Sequence, residues 1–378
     1  MVVMRKSFRY RLYPTRKQAN LLQQQLNECR WLYNHFLEVR KTTYEGGKKA
    51  PGLYDQQATL SALKEQRPTL ATVHSQVLQN VAVRIDLAFK AFFRRVKAGE
   101  KPGYPRFRGF HRYDSMTFPQ VPSGCELRDG FLRMSKIGAV KIVLHRKLQG
   151  TPKTCTLRRT STGKWYACFS CEVAQLKPLK HSKEQAGIDV GLHTFAALST
   201  GEVVDNPRFF RADEKALAKA QRRLSKAEKG TPERAKRRKP VARIHERIGF
   251  RRLDFANQTA RRLVNQFGFL AVEDLEVNCM VHNRCLAKSI SDAAWSLFFT
   301  LLFFKAECAG RTIVKVNPAY TSQDCSQCGH RQKMPLAERA FRCPCCHVVL
   351  DRDHNASLNI LRLGLKSVGI QPLEAAGL

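Results

Sequence analysis

Two cysteine pairs with the same spacing, Cys325-Ser326-Gln327-Cys328 and Cys343-Pro344-Cys345-Cys346, stand fourteen residues apart late in this 378-residue chain. Each pair lets a tight turn aim two thiolates at one point, and two such turns complete a tetrahedral zinc site. Whatever surrounds it, this segment has to fold back on itself as a ribbon. Cys345 lies between ligands and reads as a spectator, with Cys345, His330 and His347 as alternatives to Cys346. Four thiolates leave the ion no open position, so the ribbon is structural. Cys168 and Cys171 share the spacing but fall in a strand-like run, where a three-residue offset puts them on opposite faces, as core or surface residues.

The charge points to a polyanion. Lys and Arg number 66 against 31 Asp and Glu, a formal net charge of +35. Self-repulsion of that size needs a partner to neutralise it, and nucleic acid is the natural one. The basic residues run the length of the chain instead of forming one tail, which argues against a merely soluble basic protein. Between Asp205 and Asn265 there are nineteen Lys or Arg and seven Asp or Glu, five of the basic residues in Arg234 to Lys239. Ile244, Ile248, Phe255 and Leu263 give this stretch one apolar stripe for docking. A membrane role is disfavoured, since the longest apolar run, Ala293 to Phe304, is too short to span a bilayer and Met1 to Pro14 has no apolar signal core. The thirteen cysteines are therefore expected in a reducing compartment.

Periodicity divides the chain. Ser7 to Tyr13 alternates apolar Phe8, Tyr10 and Leu12 with Arg9 and Arg11, as a half-buried strand does, and stops at Pro14. Thr15 to about Arg40 and His74 to Val96 repeat apolar residues at helical spacing, separated by Gly46-Gly47 and Pro51-Gly52. Lys101 to Arg108 interleaves aromatic and cationic side chains, Tyr104 and Arg106 among them, in a proline- and glycine-broken loop that reads either as a linker or as a stacking surface along a phosphate backbone. Short alternating segments from Thr117 to Val173 suggest a small antiparallel barrel that takes in the first strand, with the helical block inserted into it. From Gly187 the pattern is three strands (Gly187 to Val190, Phe195 to Leu198, Val203-Val204), long basic helices, strand Phe269 to Val272, helix Ser291 to Ala309, strand Thr312 to Val316 and a helix from Asp353 onward. That order implies an α/β unit with a mixed sheet and helices on its faces. The residues from about Lys366 read as a loose tail.

Three carboxylates sit where a charge is expensive. Asp189 ends the apolar Gly187-Ile188 run, Glu273 ends Phe269 to Val272, and Asp353 opens the last helix. In so basic a chain any one of them could serve an ordinary salt bridge. Two strands and a helix that bring all three together instead make a hard-oxygen site for Mg²⁺ or Mn²⁺, and two such ions clamp both oxygens of a phosphodiester under attack. Asp274 should face away from Glu273, Glu276 should lie in solvent, and Asp351 reads as a helix cap or as support for Asp353.

Together, Gly187 to Gly191, Val272-Glu273-Asp274-Leu275, Ala287 to Asp292, Thr321-Ser322-Gln323 before Cys325, Asp351-Arg352-Asp353 before Asn355-Ala356, and Gly103 to Phe107 resemble the transposon-associated TnpB family, small relatives of type V CRISPR effectors. The resemblance covers essentially the whole chain. It implies a multi-domain α/β fold: a wedge β-barrel (1–14 and 103–180), a helical recognition insertion (15–102), an RNase H-like (RuvC) nuclease domain (181–317 and 348–378) and a zinc ribbon inserted in it (318–347). Asp189, Glu273 and Asp353 would be the catalytic triad binding Mg or Mn, and Cys325, Cys328, Cys343 and Cys346 the zinc ligands. The implied activity is cleavage of both strands of a double-stranded DNA target under a guide RNA, next to a short DNA motif, in a prokaryotic cytoplasm at the nucleoid. For nucleic-acid contact the candidates are Ser75, Gln76 and Gln79, since glutamine can bond adenine bidentately, with Tyr104, Arg106, Arg234, Lys236, Arg237 and Arg238. Two positions depart from the family pattern: His347 replaces a glycine after the last cysteine, and Leu350 replaces a histidine before the final acidic motif. Rival readings are a non-cutting RNA-guided repressor, a DNA transposase of RNase H-like fold, and a basic zinc-ribbon RNA-binding protein.

Overall fold

A computed structural model describes residues 3–110, 112–174, 178–335 and 338–369. The chain forms two compact units, Met1–Gln175 and Leu176–Leu378.

The first unit is built on β1 (Val3–Tyr13). Its alternation works as read: Phe8, Tyr10 and Leu12 are buried, while Arg9 and Arg11 lie on the other face, stacked over Tyr166. Thr15 and Gln18 form a capping box that starts α1 (Arg16–Glu45). Then come α2 (Leu53–Ala58), α3 (Leu60–Gln66), a 3-10 turn (Pro68–Thr72) and α4 (Ser75–Lys97). After the irregular loop follow β2 (Ser115–Phe118), β3 (Cys125–Arg128), β4 (Phe131–Met134), β5 (Gly138–Val143), β6 (Thr151–Arg159) and β7 (Trp165–Ala174). The sheet order β2-β6-β7-β1-β5-β4-β3 puts β1 at the centre, antiparallel to both β7 and β5. Hydrogen bonding leaves the expected barrel open between β2 and β3, yet the free thiol of Cys155 in β6 is pushed up by the neighbouring Cys125 thiol of β3, so the two ends of the sheet approach and it is nearly closed. On β7, Cys171 is buried and Cys168 half-buried on opposite faces, as the strand alternation requires.

The second unit opens with β8 (Gln185–Val190), β9 (Thr194–Leu198) and β10 (Val203–Asp205), continues through α5 (Phe209–Ser225), α6 (Pro232–Gln266), β11 (Phe269–Glu273), α7 (Val277–Met280), α8 (Ala287–Ala293), α9 (Trp295–Ala309) and β12 (Thr312–Val316), and ends with the hairpin β13 (Ala340–Arg342) and β14 (Val349–Asp351) and with α10 (Arg352–Ser367). Its five-stranded sheet has the order β10-β9-β8-β11-β12. β8, β11 and β12 are parallel, and β9 and β10 antiparallel, so the sheet is mixed as expected.

Alternation assigns the two faces. Ile188, Val190, Leu270 and Val272 pack with Ala256, Ala260 and Leu263 of α6 and Phe298 and Leu302 of α9. Phe269, Ala271 and Val316 point to the opposite face and pack with Ile360 and Leu365 of α10. The result is three layers, with α6 and α9 on one side of the sheet and α10 on the other.

Two expectations need correction. The single helix over Ser291 to Ala309 is in fact α8 and α9, broken where Ala294 takes a left-handed conformation at φ 57°. The tail does not begin at Lys366, because Lys366 and Ser367 complete the last turn of α10; residues 370–378 lie outside the described residues.

Candidate functional site

The acids meet through a glycine. A Cβ on Gly187 would stand 2.1 Å from the Ser357 carbonyl oxygen and 2.6 Å from the Leu361 nitrogen, so α10 rests on β8 at a point where only hydrogen fits. Asp189, two residues along β8, faces the same layer as Gly187. Asp353, four residues before Ser357, occupies the same helix face one turn nearer the strand end. Val272 is in register with Ile188 on the adjacent parallel strand, so Glu273 and Asp189 are each the next residue along neighbouring strands. All three carboxylates therefore gather at the C-terminal edge of the sheet, where ligands of open α/β sheets bind.

The electrostatics carry the mark of this crowding. The Asp189 carboxyl is held well above the usual carboxylate range, first by burial, then by the negative charges of Glu273 and Asp353, with Arg352 opposing. Burial also raises Glu273, partly offset by the Thr321 hydroxyl. Among the described residues neither Asp189 nor Glu273 has a Lys or Arg ion-pair partner, although the chain carries 66 such residues. Only Asp353 does, with Arg339 at 3.7 Å, and it also accepts from Thr194 at 3.4 Å. The simple salt-bridge role thus fails for two of the three. The three do not close into a single tight ligand set as the cysteines do. Three carboxylates on one rim, two of them without an ion-pair partner among the described residues, fit a divalent cation of the Mg²⁺ or Mn²⁺ type.

The neighbouring acids sort as expected. Asp274 is exposed and pairs with Lys315 at 2.7 Å, Glu276 is exposed, and Asp351 caps α10 by accepting from the Asp353 and His354 amides.

Three polar residues take roles that the sequence reading did not assign, Thr321 and Asn355 appearing there only as parts of motifs. Thr321, 4% exposed, donates to Glu273 Oε1 at 2.6 Å. Asn359 donates to the carbonyls of Thr321 and Asp324 at 2.9 and 2.7 Å. Asn355, fully buried, donates to the Asp324 carbonyl and accepts from the Ser326 amide, both at 2.9 Å. Two asparagines four residues apart on the buried face of a helix were the available signal, since buried amides need partners. Asp292, which in the sequence is only the end of a motif, is buried, accepts from the Phe210 and Arg211 amides at the start of α5, and binds Arg252 of α6 at 2.8 Å.

At the ribbon, the thiols of Cys325, Cys328, Cys343 and Cys346 lie within 4.8 Å of one another. Cys325 to Cys346 and Cys328 to Cys343 are each 3.5 Å apart, far beyond a disulfide bond and close to the ~3.8 Å edge of a tetrahedron of sulfurs around zinc. Hydrogen bonds to the sulfur pull the Cys343 thiol down to about 6, whereas Cys346, although lowered by the Val348 amide, is pushed up to about 12 by burial and then by the neighbouring thiols. Cys345 stays outside the cluster and exposed. Gly329 and His347 follow the last cysteine of each pair at φ 76° and 62°, so both knuckles turn through the same left-handed position and histidine fills a place suited to glycine. The four soft donors fit a zinc ribbon.

The nucleic-acid candidates differ in what they can offer. Ser75 and Gln79 are exposed at the start of α4, and Gln76 is tied to Gln120 at 2.7 Å. Asn34 grips the loop at Arg108 with two hydrogen bonds, leaving Arg106 exposed and Tyr104 43% exposed, edge-on to Phe89 and Phe92. Lys236, Arg237 and Arg238 are exposed on α6, Arg237 beside Glu233. Arg234 instead turns inward, donating to the Leu224 and Ala227 carbonyls at the end of α5.

Comparison with known proteins finds relatives along the whole chain, although the segment matched by a helix-turn-helix model forms one strand and one helix here. A family model described as "Probable transposase" matches residues 168–284, one described as "Cas12f1-like, TNB domain" matches 295–360, and a "Helix-turn-helix domain" model matches 1–49. A Streptomyces pristinaespiralis protein named "Putative RNA-guided DNA endonuclease" is 34% identical, covering 98% of this chain and 93% of that protein. InsQ of Escherichia coli K12, similarly named, is 28% identical over 95% of this chain and 92% of its own. A solved Cas12f1, in a complex with sgRNA and target DNA, shares the fold with a TM-score of 0.59 at 16% identity, covering 95% of this chain and 98% of that one. Resemblance in motifs, full-length identity and fold coincide, and the chain belongs to the transposon-associated TnpB family.

Proposed function

We propose that the protein is an RNA-guided, metal-dependent DNA endonuclease whose chemistry resides in Asp189, Glu273 and Asp353 on an RNase H-like (RuvC) platform. The observation that carries this reading is the pair of strand-end carboxylates, Asp189 and Glu273, without Lys or Arg ion-pair partners among the described residues of a chain of net charge +35. In this reading residues 181–317 and 348–378 are the RuvC domain, 318–347 the structural zinc ribbon, 1–14 and 103–180 the wedge barrel, and 15–102 the recognition insertion.

The relatives' names supply the guide and the target: RNA pairs with one DNA strand, and this chain holds the heteroduplex by its backbone. Exposed cations of α5 and α6 neutralise phosphates beside the cutting rim. Ser75, Gln76 and Gln79 read the short adjacent DNA motif, and Tyr104 and Arg106 support nearby nucleotides. Mg²⁺ or Mn²⁺ bound at the rim would activate water and stabilise the leaving oxygen. Asp189 and Glu273 orient from the strands, Asp353 from the helix, and the same rim hydrolyses each strand in turn.

The test uses protein purified with its copurifying RNA, a plasmid bearing the guide-matched target, and Mg²⁺. Asp189→Ala should lose cleavage of both strands and keep its RNA. Undiminished cleavage by that variant, or joined strands in place of hydrolysed ends, would refute the assignment.

A further inference from the structure

The Glu273 carboxylate has one hydrogen-bond partner among the described residues, the Thr321 hydroxyl at 2.6 Å. That hydroxyl has a second acceptor, the Pro318 carbonyl at 3.1 Å, but one proton serves one acceptor, and the shorter, charge-assisted contact to the carboxylate is the stronger. With Oε1 engaged, rotation of the carboxylate is restricted and Oε2 remains the oxygen available at the rim. Thr321 does not stand on the sheet. It belongs to the segment leading into the first cysteine knuckle, and Asn359 of α10 fixes its carbonyl at 2.9 Å. Asn359 and Asn355 also bind the Asp324 carbonyl, and Asn355 accepts from the Ser326 amide, so the ribbon's entry strap is fastened to the helix that carries Asp353. Both asparagines are at most 1% exposed, so each lost bond would strand a buried amide.

We propose that Thr321 is a positioning residue for Glu273, orienting its carboxylate for a divalent cation, and that Asn355 and Asn359 make this orientation depend on the ribbon's seat against α10. The inference rests on Glu273 being a metal ligand. Partners of this kind around a ligating carboxylate typically change metal affinity by about 10- to 100-fold.

The test measures Mn²⁺ binding directly, by the electron paramagnetic resonance of free Mn²⁺, on the full zinc-loaded chain stripped of RNA. Thr321→Val, which keeps shape and removes the donor, should weaken Mn²⁺ binding by about tenfold with zinc content unchanged, and Thr321→Ser should restore it. Thr321→Ala gives the same readout if valine disturbs packing. Wild-type affinity in the valine and alanine variants would overturn the proposal, as would a serine variant as weak as valine. Glu273→Gln separates the two layers: if it leaves Mn²⁺ affinity unchanged, the ligand reading and this one fall together. If it weakens binding while Thr321→Val and Thr321→Ala do not, the positioning role alone falls.

Discussion

The Ser357 carbonyl lies 2.1 Å from where a Cβ on Gly187 would stand, a contact that sets the height of α10 above β8 and so the distance between Asp353 and Asp189. Gly187→Ala should force the helix off the strand, because both obstructing atoms, the Ser357 oxygen and the Leu361 nitrogen, are backbone. We expect a loss of about 1–3 kcal/mol in chemical denaturation. Cleavage should fall far more than the folded fraction does, measured on the same preparation.

Asp189→Asn should separate stability from activity. A half-buried carboxyl whose proton affinity is raised in the folded state favours its neutral form, so it stabilises the fold fully below the unfolded carboxylate range, near pH 3.9, and that contribution is lost as pH rises through the raised folded value. At neutral pH without metal, the neutral amide removes the charge repulsion, and thermal unfolding should move to higher temperature. The gain should shrink as the pH falls and the wild-type carboxyl takes up its proton, while cleavage is lost at every pH.

Asp292→Ala should be among the most damaging single changes in the second unit. It leaves the first amides of α5 without their acceptor and Arg252 without its partner in a half-buried setting. A loss of about 3–5 kcal/mol is expected from urea unfolding, with Asp292→Asn intermediate because the amide oxygen still accepts from the helix start.

For the ribbon, Cys343→Ser should abolish zinc uptake, whereas Cys345→Ser should leave one zinc per chain, as measured by atomic emission. Cys345 lies outside the thiol cluster, so a metal-free Cys345→Ser protein would show that the ligand set has been misassigned.

The basic residues of α6 should divide by orientation. Lys236→Ala should weaken nucleic-acid binding at all sequences and lower the salt dependence by about one counterion. Arg234→Ala should act through stability, since its guanidinium already serves the end of α5. Filter binding across a salt series distinguishes them.

Local pattern carried the reading of β1, the cysteine knuckles and the strand-end acids, because each shows itself within a few residues. Alternation exposed Phe8, Tyr10 and Leu12, and an acid closing an apolar strand stood out at Asp189 and Glu273. What stayed hidden depends on contacts distant in the chain. Ala294 breaks a helix with no proline or glycine to announce it. Arg234 looked like its basic neighbours until its partners at Leu224 and Ala227 were seen. Thr321 and Asp292 gain their significance only from Glu273 and the start of α5, which no spacing reveals.

The cysteine ribbon interrupts the path from β12 to α10, so the helix that covers one face of the five-stranded sheet is synthesised after every strand it rests on. Until the metal closes the two knuckles, that helix hangs from a long tether and must find β8 against the entropy of a wide loop. A metal held by the four thiols would shorten that tether, so the cost of seating α10 on the sheet would fall with the closing of a site that lies outside the sheet itself.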